Sequence, residues 1–255
     1  MSEFGWLTAR PIAHRGYHDR SRRCIENTLP AAEAAIAHNF AIECDLQPTA
    51  DGRVVVFHDD RLDRLTEAEG PVGARTLAEL RAVRLRDSDA GIPTLEALLD
   101  LVDGRVPLVI ELKSQWTGDR RLEQAVAPIL ADYSGPAAVM SFDPASMVAM
   151  RRLRPDLPRG MIADDFARGA DEGGLSWPKR FALRHLLGAA LVWPHFVSFG
   201  INALPANAPL MLRHVGVPLI CWTVRTPADL DKAREYTDQI TFEGFDPDAA
   251  TPGVS

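Results

Sequence analysis

The sequence predicts an α/β protein of (β/α)8 barrel type, the TIM-barrel architecture. Short apolar runs rich in Val and Ile alternate with amphipathic stretches of helical length along most of its 255 residues. Alternation of this kind favours βαβ units and a parallel sheet. Eight strand-and-helix units in a chain of about 250 residues have the size of a closed barrel. The alternative is an open doubly wound sheet, but no GxGxxG motif follows the first strand, which weakens a dinucleotide-binding version of it.

The elements follow one another in a regular order. Barrel strands are predicted at 11–15, 41–47, 107–113, 137–142, 159–164, 196–201, 217–224 and 238–243. Helices are predicted at 28–38, 94–103, 119–131, 144–153, 178–190, 206–214 and 227–235. A ninth run, 54–58, follows the second strand through the turn signal Asp51-Gly52, so the two are predicted to form a hairpin. The charged, Gly- and Pro-containing segment of about 59–92 is interpreted as a small insertion after the second strand. We expect one domain over 1–255.

Composition limits the functions that are compatible with the chain. Its hydrophobic content of 46% and charged content of 25% are typical of a soluble globular protein with a sizeable core. The net charge of −7 argues against nucleic acid and anionic membranes as partners, although a site can be locally positive. The three cysteines lack CxxC spacing, which disfavours disulfides and thiolate metal sites. Neither a signal-peptide pattern nor a membrane-spanning run is apparent, so we expect a cytoplasmic protein without a stable membrane anchor.

Polar side chains recur at the carboxyl ends of the predicted strands, where barrel enzymes carry their active sites. They are His14 and Arg15 at the end of the first strand, Glu43 and Asp45 near the end of the second, Glu111 and Lys113 at the end of the third, and Trp222 near the end of the seventh. Side chains at i and i+2 of a strand share a face. The three carboxylates are therefore expected to lie together, where burial is costly without a cation. Oxygen ligands suit Mg²⁺ or Ca²⁺ rather than zinc.

Each signal taken alone also has a simpler interpretation. An ExD pair is common on solvated strand faces, and a Glu–Lys pair can be a plain ion pair. His14 and His58 could be exposed histidines at strand ends, and Trp222 could be an ordinary core residue. Asn27, which stands before a helical run, could be a helix cap rather than a site residue.

The order of the motifs is far more specific than any one of them. Along the chain it reads HRG, EN, ExD, DG…HD, ExK, SFD and WTV. This order resembles the glycerophosphodiester phosphodiesterase family, TIM barrels with a small inserted subdomain. The matching stretches run from residue 13 to about 224, and they are AHRGYHDRSRRCIENTLPAAEAA, AIECDLQPTADGRVVVFHDDRLDRLT, GIPTLEALL, LVIELK, MSFDP and ICWTV. The match is strong in the first half and thinner in the second.

The resemblance implies a role for each matching residue. It implies that His14 and His58 are the acid–base pair. It also implies that Glu43, Asp45 and Glu111 hold one divalent cation, Mg²⁺ or Ca²⁺. The remaining implied roles are phosphate neutralisation by Arg15 and Lys113, further substrate contacts by Asn27, Phe142 and Trp222, and a supporting position for Glu26. Two departures from the family pattern stand out: a basic loop over 16–26, with Ile25 in place of a frequent proline, and Glu243 near the last strand.

The implied activity is metal-dependent hydrolysis of glycerophosphodiesters to glycerol 3-phosphate and an alcohol. A metal with Arg and Lys stabilises charge on phosphoryl oxygens, and imidazoles transfer protons near neutral pH. A neighbouring glycerol hydroxyl is the implied nucleophile, which gives a cyclic phosphate that water opens. The alternatives are phospholipase-D-type cleavage of lysophospholipids, a non-catalytic phosphate-binding barrel and, more distantly, a sugar-isomerase-type barrel. The implied partner is a small glycerophosphodiester; the sequence leaves the headgroup and oligomeric state open.

Overall fold

Nine strands form one sheet in the computed structural model of the protein, which describes residues 4–166 and 175–249. The strands are β1 (Ile12–Ala13), β2 (Ala41–Pro48), β3 (Val54–Val56), β4 (Leu108–Leu112), β5 (Ala137–Ser141), β6 (Arg159–Ala163), β7 (Phe196–Gly200), β8 (Leu219–Val224) and β9 (Gln239–Phe242). Eight of them are parallel, in the order β1-β9-β8-β7-β6-β5-β4-β2, and β1 pairs with β2 to close the barrel. β3 lies antiparallel on β2 as a hairpin. The predicted (β/α)8 barrel is confirmed.

Helices occupy most of the connections between the strands. They are α1 (Leu29–Ala37), α2 (Leu77–Arg81), α3 (Leu95–Val102), α4 (Arg121–Ala131), α5 (Pro144–Leu153), α6 (Trp177–Arg184), α7 (Ala189–Val192), α8 (Asn207–His214) and α9 (Pro227–Tyr236). Side-chain caps fix several of their starts; for example, Thr28 accepts from the Ala31 amide and Asp143 from the Ala145 amide. None of the helices in the described ranges is long and apolar enough to cross a membrane.

Two elements differ from the sequence-based expectation. β1 stops at Ala13 because Arg15 adopts φ 57° and Gly16 φ 81°, which turns the chain out of the sheet. A Cβ at Gly16 would lie 2.8 Å from the Ala31 Cβ, so the position requires glycine. The predicted helix over 178–190 is two helices, α6 and α7, because Leu186 takes φ 52° between them and is itself buried. Both breaks are local backbone conformations that apolar periodicity does not report.

Buried apolar residues form three clusters. The largest packs the outer faces of the strands against the helices, and Cys44 belongs to it. A second fills the barrel interior below the mouth, with Phe196 and Ile220 among its members. The third lies within and beside the insertion and includes Leu62 and Leu80, so this segment packs around apolar residues of its own on the β2–β3 hairpin.

Candidate active site

Three buried carboxylates meet at the mouth of the barrel. Glu43 and Asp45 share a face of β2, and Glu111 of β4 is directly opposite Asp45 in the strand register. Each offers one carboxylate oxygen, and these oxygens lie within 4.8 Å of one another. All three residues are at least nine-tenths buried. The strand geometry predicted from the i, i+2 spacing is therefore what brings them together, and their all-oxygen donor set suits a hard divalent cation.

Two cations lie against this cluster. The Lys113 ammonium is 3.1 Å from a Glu111 oxygen and 3.5 Å from an Asp45 oxygen. The Arg15 amide donates to Glu43 at 2.9 Å, and its guanidinium lies 3.6 Å from Asp45. Two positive side chains facing three carboxylates leave the cluster one negative charge in excess when all are ionised. That balance is compatible with a further bound cation.

Asn27 and Glu26 hold the cations and carboxylates in place from the α1 side. The Asn27 side chain donates to Asp45 at 2.8 Å and accepts from the Asp45 amide at 3.3 Å. The alternative that Asn27 caps α1 is wrong, because Thr28 is the capping residue and Asn27 lies in the left-handed region at φ 57°. Glu26 accepts from the Arg15 guanidinium at 2.6 Å.

The pKa directions separate the three carboxylates. Burial, together with the charges of Asp45 and Glu111, holds the pKa of Glu43 well above its ordinary value. Burial and the charge of Asp45 raise the pKa of Glu111 as well, against the opposing charge of Lys113. Burial alone would raise the pKa of Asp45 too, but the charges of Lys113 and His58 outweigh it and hold that pKa well below its usual range. The charge repulsion of the cluster thus falls mainly on the two glutamates.

His14 follows β1 and is held by a carboxylate from the far end of the chain. Its Nδ1 lies 2.8 Å from Oε2 of Glu243, which follows β9. Arg225, after β8, donates to the same oxygen at 2.9 Å. Burial lowers the pKa of His14, and the Glu243 hydrogen bond partly offsets this. In return, that hydrogen bond lowers the pKa of Glu243 to about 2. This carboxylate makes Nδ1 the protonated nitrogen of neutral His14.

His58 follows β3 and has a matching arrangement. Its Nδ1 lies 2.9 Å from Oδ1 of Asp59, and Gln47 of β2 donates to its backbone carbonyl at 3.1 Å. Arg64 of the insertion binds the other side of Asp59 at 2.6 Å and also reaches Glu26 at 2.7 Å. Burial would raise the pKa of Asp59, but the hydrogen bonds from His58 and Arg64 lower it to about 2. Both histidines therefore have an ionised carboxylate on Nδ1.

The opposite wall of the mouth is aromatic. The rings of Phe142, after β5, and Trp222, in β8, meet edge to face at 5.6 Å between centroids. Phe142 also meets Phe166, after β6, at 6.2 Å. The predicted pair Phe142 and Trp222 is therefore together, at strands other than those that carry the three carboxylates.

Sequence reasoning missed part of the supporting network. Asp59 is visible in the sequence as the residue after His58, and Glu243 was noted without a role. Arg64 carries no motif, and only the fold of the insertion brings it to Glu26. The basic loop also has a structural explanation. Arg20 pairs with Asp87 of the insertion, and Ile25 is buried in the insertion's apolar cluster.

The mouth of the closed barrel carries a buried carboxylate triad, two cations and two carboxylate-bound histidines. This combination is typical of a site for phosphoryl transfer. Residues 14–240 match the model of the glycerophosphoryl diester phosphodiesterase family, and the chain belongs to that family. A glycerophosphodiester phosphodiesterase of Bacillus subtilis is 33% identical over 264 residues, covering 92% of this chain and 83% of that protein. One from Caldanaerobacter subterraneus is 31% identical over 231 residues, covering 87% and 88%.

The fold agrees with solved structures as well. A phosphodiesterase of Oleispira antarctica, solved in complex with the product sn-glycerol-3-phosphate, superposes with a TM-score of 0.76 at 22% identity. The superposition covers 93% of this chain and 94% of that one. The family predicted from the order of the motifs is confirmed.

Proposed function

We propose that this protein hydrolyses glycerophosphodiesters to glycerol 3-phosphate and an alcohol, in a single domain over 1–255 and with one divalent cation. The observation that carries the proposal is the Glu43–Asp45–Glu111 cluster beside the cations Lys113 and Arg15, at the barrel mouth where His14 and His58 each have a carboxylate on Nδ1. The name of the family supports a glycerophosphodiester as the substrate. A small substrate and a cytoplasmic location remain part of the proposal.

The carboxylate triad would hold Mg²⁺ or Ca²⁺. Bound there, the ion would supply Lewis-acid stabilisation of charge on the phosphoryl oxygens. Arg15 and Lys113 face the same space, so their positive charges would bind and orient the phosphate. Asn27 would keep Asp45 fixed and extend a polar floor under the substrate. Phe142 and Trp222 would pack against the apolar parts of the substrate on the opposite wall.

Proton transfer is assigned to the two histidines. His58 accepts the proton of the attacking glycerol hydroxyl, and His14 donates a proton to the leaving alcohol, which gives a cyclic phosphate. Water then opens the ring: His14 accepts a proton from the water and His58 returns its proton to the released glycerol oxygen, so that both histidines regain their starting state. In each ring the carboxylate on Nδ1 leaves Nε2 as the nitrogen that exchanges the proton with substrate. Glu243 and Asp59 also stabilise the imidazolium form of each ring. Glu243 and Asp59 are thus positioning residues, and Glu26 acts through Arg15.

The test is the product formed from glycerophosphocholine. We expect ³¹P NMR to show glycerol 3-phosphate, and choline to appear in equal amount. His14→Ala and His58→Ala should each lower the rate about 10²–10⁴-fold, the usual range for removal of an acid or base. Asp63→Asn, an exposed carboxylate of the insertion, is the matched control and should leave the rate unchanged.

A second candidate is phospholipase-D-type cleavage of lysophospholipids, which the aromatic wall of Phe142 and Trp222 favours. Turnover of lysophosphatidylcholine with no turnover of glycerophosphocholine would select it. If neither substrate is turned over in the presence of metal, the proposal is contradicted and the non-catalytic phosphate-binding barrel is the remaining alternative.

A further inference from the structure

The side of the barrel that carries α6 and α7 exposes large apolar residues in an unusual concentration. In the described part of the chain, eight large hydrophobic side chains are exposed, and five of them fall between residues 177 and 193. These five, the α6–α7 face, are Trp177 (69% exposed), Phe181 (46%), Leu187 (59%), Leu191 (66%) and Trp193 (69%). Single exposed apolar residues are ordinary, whereas adjoining ones are typical of an interaction surface, and the rings of Trp177 and Phe181 adjoin each other.

The charged residues on α6 itself are all positive. α6 contains Lys179, Arg180 and Arg184 and no acidic residue. Within residues 4–166 and 175–249, none of the three takes part in an ion pair. Exposed arginines elsewhere, such as Arg61 and Arg234, do pair with carboxylates. In a chain with net charge −7, this helix is a local positive region.

The aromatic residues on α6 are arranged along its outward side. The Trp177 and Phe181 rings are stacked at 5.6 Å between centroids, one helical turn apart. The Lys179 ammonium lies 4.0 Å from the centre of the Trp116 ring, which follows β4 at the mouth. The start of α6 is therefore at the rim of the active-site mouth.

We propose that the α6–α7 face docks reversibly on an anionic lipid surface. Aromatic side chains beside basic ones are the composition of helices that lie in the membrane interface, where rings enter the headgroup region and cations meet lipid phosphates. A second copy of the chain fits less well, because a two-fold contact would bring two unpaired positive sets together. This surface lies outside the catalytic residues, so the inference goes beyond the proposed activity and does not depend on it.

The test is flotation of the full chain with vesicles of phosphatidylcholine, with and without phosphatidylglycerol. We expect binding only to the vesicles that contain phosphatidylglycerol, weakening as salt shortens the Debye length from about 10 Å at 0.1 M to about 3 Å at 1 M. Trp177→Ser with Phe181→Ser should weaken binding roughly tenfold or more, from the lost apolar contact. Arg180→Glu with Arg184→Glu should abolish it.

The matched control changes equally exposed apolar residues on another side of the barrel. Met211 and Val215, at α8, are 66% and 70% exposed, and Met211→Ser with Val215→Ser should bind as the wild type does. Thermal unfolding checks that every variant is folded. Absence of binding, equal binding to both vesicle types, or equal losses in both serine pairs would overturn the proposal. Light scattering could instead show that the wild-type chain is a dimer and that only Trp177→Ser with Phe181→Ser makes it a monomer. That result would assign the face to contact with a second copy of the chain.

Discussion

The two walls of the barrel mouth differ in chemistry and in how they are held. On the wall of β1, β2 and β4, every charged residue is bound by another, so that Glu26 joins Arg15 to Arg64 and Arg64 joins Glu26 to Asp59. On the wall of β5 and β8, the rings of Phe142, Phe166 and Trp222 meet edge to face. Under the proposed function, the first wall fixes the groups that act on the phosphate, and the second offers apolar area that the substrate can cover.

The largest effect is expected on the charged wall. Glu43→Gln removes one of three proposed metal ligands, and we expect kcat on glycerophosphocholine to fall by about 10³-fold or more, since several kcal/mol of charge stabilisation depends on the ion. Calorimetry of Mg²⁺ binding should show the same loss. An activity within threefold of wild type would contradict the metal assignment.

The same substitution should have the opposite effect on metal-free stability. The pKa of Glu43 is raised in the folded protein, so the folded state binds more protons than the unfolded state once the pH exceeds the ordinary glutamate value. Stability must therefore decrease as pH rises through that region. In EDTA, urea unfolding should show wild type losing stability from pH 4.5 upward and Glu43→Gln losing less. If the free energy of unfolding has the same slope against pH in both proteins, the neighbours of Glu43 do not raise its pKa.

A smaller effect is expected from the carboxylate behind His14. The Glu243 hydrogen bond raises the pKa of His14, so Glu243→Gln should lower that pKa. With His14 as the acid, the alkaline limb of the pH–rate profile should move to lower pH. We also expect kcat to fall about 10-fold, the lower end of the losses seen when a residue that orients a catalytic group is removed. Glu243→Asp should restore part of the rate. A lower rate with an unmoved limb would reduce Glu243 to a structural role.

Arg64 links the insertion to Asp59, which binds His58, and to Glu26, which binds Arg15, and its removal should lower activity less. Arg64→Met keeps the length of the side chain and leaves Glu26 bound to Arg15, so we expect a fall in kcat of about threefold, the scale of a partly exposed ion pair. Arg61→Met, an exposed arginine of the same segment, is the control. Equal rates for both variants would mean that the insertion is not coupled to the site.

The smallest effect on kcat is expected on the aromatic wall. Trp222→Leu should raise KM for glycerophosphocholine severalfold and change kcat little, because apolar packing binds ground state and transition state alike. A loss of kcat as large as that of Glu43→Gln would place Trp222 among the reacting groups and remove the distinction between the two walls.

The comparison of the walls also explains what could be predicted from the sequence. Glu43, Asp45 and Glu111 were predictable because strand alternation and parallel register place them without knowledge of any loop. The role of Arg64 was not, since it depends on the fold of an insertion whose ends are set by packing around residues such as Leu62. The break between α6 and α7 was missed because it depends on one left-handed residue, Leu186. Regular elements carry their geometry in the sequence pattern, whereas loops acquire theirs from contacts.

The most direct test of the central claim is a metal titration of hydrolysis. Protein stripped with EDTA is supplied with increasing Mg²⁺, and then Ca²⁺, while release of glycerol 3-phosphate from glycerophosphocholine is followed for wild type and Glu111→Gln. We expect no activity without metal and, in the wild type, a saturable recovery of activity with one of the two ions. Glu111→Gln should recover activity only at much higher metal concentration. Full activity of the stripped wild-type protein would contradict it.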